Sequence, residues 1–107
     1  MTLSNFYEGT TKKFDVTITY NGSNPDITSD TVTIYFKEKE KDEIALEKEA
    51  DVTTQGADGI AEFELTTTNT DLRPGIYTYS IVWEPASGGK YILEEDKVRI
   101  LDSITVN

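Results

Sequence analysis

The chain has 107 residues, with 20 acidic and 10 basic side chains and neither cysteine nor histidine. This length accommodates one compact unit of about 100 to 150 residues, and the missing residue types remove disulfides, thiolate nucleophiles, thiolate metal sites and the commonest general base. A formal charge of -10 repels phosphate backbones, so no nucleic acid partner is expected.

A hydrophobic content of 36% with 10% aromatics predicts a chain that folds rather than a disordered one. The first eight residues hold no basic segment followed by an apolar run, so no secretory signal is expected and synthesis is read as cytoplasmic. No stretch approaches the roughly 18 apolar residues that would span a bilayer, so no membrane partner is expected either.

Strand patterning begins after a short N-terminal segment at residues 3–7. Across residues 13–20, Phe14, Val16, Ile18 and Tyr20 alternate with Asp15, Thr17 and Thr19. Side chains alternate faces along a strand, so the first set is expected inward and the second outward. Asn21-Gly22 tolerates positive φ and closes the strand. A second alternation at 31–37 points Val32, Ile34 and Phe36 inward, Thr33 and Tyr35 outward.

Residues 37–64 carry 10 acids against 4 bases, read as a solvated surface. A weaker strand at 43–52 has Ile44, Leu46 and Ala50 as inward candidates, interrupted by Lys48. Its charges suit an exposed sheet edge, where they discourage pairing with other chains. After a turn at Gln55-Gly56-Ala57-Asp58-Gly59, residues 60–65 point Ala61, Phe63 and Leu65 inward.

Residues 70–83 combine a chain corner with a strand whose Tyr77, Tyr79, Ile81 and Trp83 share a face. Pro74 and Gly75 suit the second and third positions of a type II turn. Leu72, Pro74, Gly75 and Tyr77 together resemble the tyrosine corner of immunoglobulin-like sandwiches, in which the phenol bonds back to the corner's backbone. The segment 84–90 reads as a hairpin loop into a strand at 90–93. Glu94-Glu95-Asp96 interrupts that pattern before it resumes at 97–101, predicting a bulge or kink. Residues 102–107 are read as a short strand or a tail.

About seven strands with regular turn signals predict an all-β fold, an antiparallel β-sandwich, as one domain over residues 1–107. A partly closed barrel satisfies the same pattern.

No catalytic, cofactor or metal-binding residue is assigned. Paired carboxylates suit glycoside hydrolysis, but on a small domain with 20 acids such pairs arise by chance. Asp26 with Asp30, and Glu94 with Glu95 and Asp96, have a composition compatible with calcium, yet no loop matches a calcium motif and turn caps account for them. Trp83 with Tyr77 and Tyr79 is read as core in preference to a sugar-stacking platform. The opposite face of that strand, Ile76, Thr78 and Val82 with Tyr35 beside them, is mildly apolar and is the candidate partner-binding surface.

The order Gly9-Thr10-Thr11-Lys12, Val16-Thr17-Ile18, Asn21-Gly22, Asp26-Ile27-Thr28, Val32-Thr33-Ile34 and Phe36-Lys37 continues with Gly59-Ile60-Ala61-Glu62-Phe63 and Pro74-Gly75-Ile76-Tyr77. It resembles small immunoglobulin-like β-sandwich domains of tailed bacteriophages and prophages, such as the N-terminal domain of upper baseplate proteins. The resemblance implies a non-enzymatic virion-associated module that contacts other virion structural proteins or itself, and it carries over no functional residue. Baseplate proteins continue into receptor-binding parts, whereas this pattern ends near residue 107. A carbohydrate-binding module and a cell-surface adhesion-type domain are the alternatives.

Overall fold

The period-two segments become strands. The computed structural model describes residues 3–102, and among them seven strands are formed. They are β1 (Phe6–Tyr7), β2 (Lys12–Thr17), β3 (Thr31–Glu38), β4 (Ile44–Glu49), β5 (Ile60–Leu65), β6 (Gly75–Glu84) and β7 (Tyr91–Leu101). Among the described residues the single helical element is a 3₁₀ turn at Gly56–Asp58, closed by Gly59 in the left-handed conformation. The fold is all-β. Of the expected strand or tail at 102–107, Asp102 is irregular and residues 103–107 lie outside the described residues.

Five strands form one sheet in the order β1-β7-β6-β3-β4, and β2 pairs with β5 in a second. The expectation of a purely antiparallel arrangement is corrected at one edge. There β1 runs parallel to β7, matching Phe6 with Ile100 and Tyr7 with Leu101. The chain passes between sheets at Asp51, which exchanges two backbone bonds with Glu62, of 2.8 and 2.9 Å.

Inner-face residues of both sheets meet in one hydrophobic cluster. Val32, Ile34 and Phe36 from β3, Ala61, Phe63 and Leu65 from β5, and Tyr77, Tyr79 and Ile81 from β6 are all buried. Each large side chain so removed from water contributes about 1.5–3 kcal/mol, so alternation accounts for the core that the two sheets share.

The N-terminal segment is drawn in by Leu3 and Phe6, both buried, with Phe6 edge-on to Phe36. It is fastened by Thr70, whose buried hydroxyl donates to the Thr10 carbonyl at 2.6 Å.

Two inward expectations fail, for different reasons. Tyr20 is half exposed because β2 ends at Thr17. Asn21 and Gly22 then take positive φ in a tight turn closed by Tyr20 and Ser23, leaving Tyr20 beyond the sheet. Ile44 faces outward because β4 carries a bulge: Phe36 pairs with Leu46 but Lys37 pairs with Ile44, so Ala45 is an extra residue. One inserted residue reverses the faces of everything beyond it. Thr33 does lie on the outer face as expected, yet it is buried by its neighbours there.

The interruption read at Glu94-Glu95-Asp96 is a bulge one residue earlier within a continuous β7. Ile81 pairs with Glu94 and Val82 with Ile92, which makes Leu93 the extra residue.

The corner forms with one amendment. Tyr77 donates its hydroxyl to the Arg73 carbonyl at 2.7 Å, and Leu72 packs against the core. Gly75 has φ of +152°, unlike the roughly +80° of a type II third position, because it already opens β6 and pairs with Ile100. Pro74 is exposed before it.

Tyr77→Phe deletes this corner bond and is expected to lower stability by about 1–1.5 kcal/mol, read as a shifted urea midpoint with an unchanged slope.

Asp51 supplies a second test. It accepts from the Thr53 amide at 2.8 Å, the Thr53 hydroxyl at 2.7 Å and the Thr54 hydroxyl at 2.8 Å. These bonds, led by the Thr53 hydroxyl, hold its carboxyl down to about 2 from the ordinary 3.8. A folded value below the unfolded one stabilises fully above the unfolded value and is lost as pH falls through the folded one. Thermal melts are therefore expected to show stability declining as pH drops from 3.8 toward about 2. Asp51→Asn is expected to remove part of that decline.

Candidate functional site

The outer face of the five-stranded sheet carries the surface expected from the alternation of β6. Cross-strand pairing sets Glu49, Thr33, Val82 and Ile92 in one row across the sheet, and Glu47, Tyr35, Ser80 and Glu95 in the next. A third row holds Ile44, Lys37, Thr78 and Lys97.

A shallow groove of about 360 Å³ crosses these rows, lined by Tyr35, Ile44, Thr78, Val82 and Ile92 with Lys37, Lys90 and Glu95 among its polar residues. Three of the four expected partner-binding residues, Tyr35, Thr78 and Val82, are thus brought together. Val82 is buried, as the floor of the groove between Thr33 and Ile92. Ile76 lies apart, in a separate depression of about 530 Å³ with Pro74, Arg99 and Leu101.

The most exposed aliphatic members, Ile44 at 52% and Ile92 at 64%, escape sequence reasoning. Unbroken alternation would have turned both inward, and each is redirected by the bulge beside it. The acids after Leu93 announce the second bulge; nothing in the sequence announces the first.

The inner face of β6 ends in polar atoms, each with a partner. The Tyr79 hydroxyl accepts from the Leu3 amide at 3.0 Å and donates to the Glu94 carboxylate. Burial, then the bond to Glu94, pushes this phenol up to about 12. Tyr77 is likewise raised, by burial and then by nearby Glu38. Wholly buried rings at both positions rule out the platform of Trp83 with Tyr77 and Tyr79.

Trp83, 6% exposed, donates Nε1–H to Asp30 Oδ2 at 2.9 Å, while Asp30 Oδ1 accepts from the Ala86 amide at 2.9 Å. This carboxylate clamps the β6–β7 hairpin to the β2–β3 loop.

The acid groups with calcium-like composition are dispersed or occupied. Asp26 Oδ1 accepts from the Thr28 amide at 3.0 Å and from the Thr28 hydroxyl, the larger influence in lowering its carboxyl. Glu94 and Asp96 pair with inner-face residues of β6, and Glu95 with outer-face Ser80. Among the described residues no group of three or more His, Cys, Asp or Glu is placed to hold a metal ion, and no helix is long and apolar enough to cross a membrane.

No protein-family model matches the chain, and no curated protein matches it.

Asp30→Ala removes both clamp bonds and is expected to cost about 1.5–3 kcal/mol. The indole emission is expected to shift to the red and acrylamide to quench it more strongly. Wild-type quenching should be weak.

Proposed function

We propose that this chain is a non-enzymatic immunoglobulin-like sandwich module of the phage or prophage type, joining structural proteins through the outer face of its five-stranded sheet. The observation that carries the interaction reading is the pair of bulges at Ala45 and Leu93. Each turns an isoleucine out of the core and onto the same groove. A large aliphatic side chain left in water forgoes about 1.5–3 kcal/mol of burial, and contiguous exposed apolar surface on a small domain marks a contact with another chain.

Two features support the immunoglobulin-like form. The order β7-β6-β3-β4 follows the G, F, C and C′ strands of such sandwiches, with β2 and β5 standing for B and E. The Tyr77 corner lies near the start of the strand corresponding to F. The phage assignment rests on the sequence resemblance alone. It implies association with virions assembled in a bacterial host, and partners that are other virion proteins or further copies of this chain.

Purified particles from the source phage or induced prophage are expected to contain the protein. Ile44→Glu and Ile92→Glu, both at exposed positions, should leave the melting transition intact and reduce incorporation about tenfold or more. Consistent absence of the wild-type chain from particles would overturn the virion assignment. Incorporation unaffected by both substitutions would overturn the choice of face.

A further inference from the structure

A second concave region lies at the end of the inner face, where Tyr20, the β2–β3 loop and the β6–β7 hairpin meet. It has a volume of about 410 Å³ and is lined by Tyr20, Asp26, Asp30, Trp83, Ser87 and Tyr91, among others, a size within the range of small-molecule sites. Three rings form its aromatic wall. Their centroids are 5.7 Å apart for Tyr20 and Trp83, 5.8 Å for Tyr20 and Tyr91, and 5.2 Å for Trp83 and Tyr91.

Trp83 is buried beneath, but Tyr20 and Tyr91 remain 46% and 41% exposed. The arrangement is held from several sides. The Tyr20 phenol beside it raises the Tyr91 hydroxyl above its ordinary value. Asp30 fixes the indole and the hairpin backbone. Gly89, in the turn that leads to Tyr91, holds φ of +101°, a conformation that L side chains rarely adopt.

We propose that this hollow binds a neutral hexopyranoside. A pyranose offers an apolar C–H face to an aromatic ring and a rim of hydroxyls to hydrogen-bond acceptors, and the hollow places both kinds of surface side by side. A carboxylate has about four lone-pair positions. Asp30 accepts two internal bonds and Asp26 two, so each retains capacity for sugar hydroxyls.

Other ligand classes fit less well. The two carboxylates and the chain's charge of -10 repel acidic sugars and phosphates. A quaternary ammonium needs a gap between ring faces, whereas these rings pack against one another. Because the rings already pack against one another without a ligand, less ordering opposes binding than for isolated side chains. The assignment is independent of the outer-face reading.

The test is a titration of the full chain with the methyl glycosides of glucose, galactose and mannose and with N-acetylglucosamine. It is followed by Trp83 emission and by the backbone amide signals of Ala86, Ser87 and Gly88. At least one sugar is expected to give a saturable change with a dissociation constant in the millimolar range. Tyr91→Ala and Asp26→Asn should each weaken it about tenfold, while Tyr91→Trp retains binding and Ile92→Glu leaves it unchanged.

Asp26→Asn keeps an oxygen to accept from Thr28, so it reports on the site even if Tyr91→Ala fails to fold. Three outcomes would overturn the proposal: no saturable change with any of these sugars, a saturable response in a parallel choline titration where the sugars give none, or binding undiminished in folded Tyr91→Ala and Asp26→Asn.

Discussion

Strand β6 buries two phenols and an indole on one face, and each carries a polar atom that must be satisfied where water does not reach. An unpaired buried hydroxyl or N–H costs about 1–3 kcal/mol, so the partners of these atoms are structural necessities. Tyr77 finds the Arg73 carbonyl, Tyr79 finds the Leu3 amide and Glu94, and Trp83 finds Asp30. Those bonds tie down the corner before β6, the N-terminal segment with β7, and the loop between β2 and β3. The central strand thereby organises loops that alternation of apolar residues does not specify. No buried side-chain nitrogen or oxygen among the described residues lacks a partner.

The all-β class and most of the core were legible because the relevant signal is local. Val32, Ile34 and Phe36 alternate within a few residues, as do Ala61, Phe63 and Leu65, and all six are buried. The Tyr77 corner was legible because its donor and acceptor lie four residues apart. The parallel pairing of β1 with β7 was not, since it depends on contacts across almost the whole chain. The same holds for the aromatic hollow, whose members at residues 20, 26, 30, 83 and 91 are joined only by the fold. Of the two bulges, the one beside the acidic triplet left a trace because charge broke the apolar rhythm. The one at Ala45 left none, since alanine suits either face.

Edges and charge complete the account of why the sheet stops where it does. Only the last part of β7 is covered by β1. Nearby, the Lys97 amide donates to Asp96 Oδ1 and the Arg99 amide to Asn5 Oδ1, so side chains occupy groups that a further strand would otherwise use. At the opposite edge, β4 presents Glu47 and Glu49 on its outer face, and charged edges resist uncontrolled pairing. Edge addition is thereby disfavoured, and the exposed apolar surface lies on faces and ends of the sheet.

The extra residue in β7 links the two surfaces. Had β7 continued in step past Glu94, Leu93 would oppose Val82 on the outer face, Ile92 would oppose Trp83 within, and Tyr91 would fall opposite Glu84. With Leu93 inserted, Val82 meets Ile92 and Trp83 meets Tyr91, while Leu93 itself packs against the core. One bulge therefore delivers an isoleucine to the outer groove and a tyrosine to the aromatic hollow at once. A strained or unpaired residue in a sheet persists only where its surroundings over-determine it. Here the core contact of Leu93 and the ring contact of Tyr91 with Trp83 provide that reinforcement. The local cost of interrupting the ladder is offset by the partial burial of Leu93 against the core and by the ring contact of Tyr91 with buried Trp83, and the exposed isoleucine is what that register leaves outside.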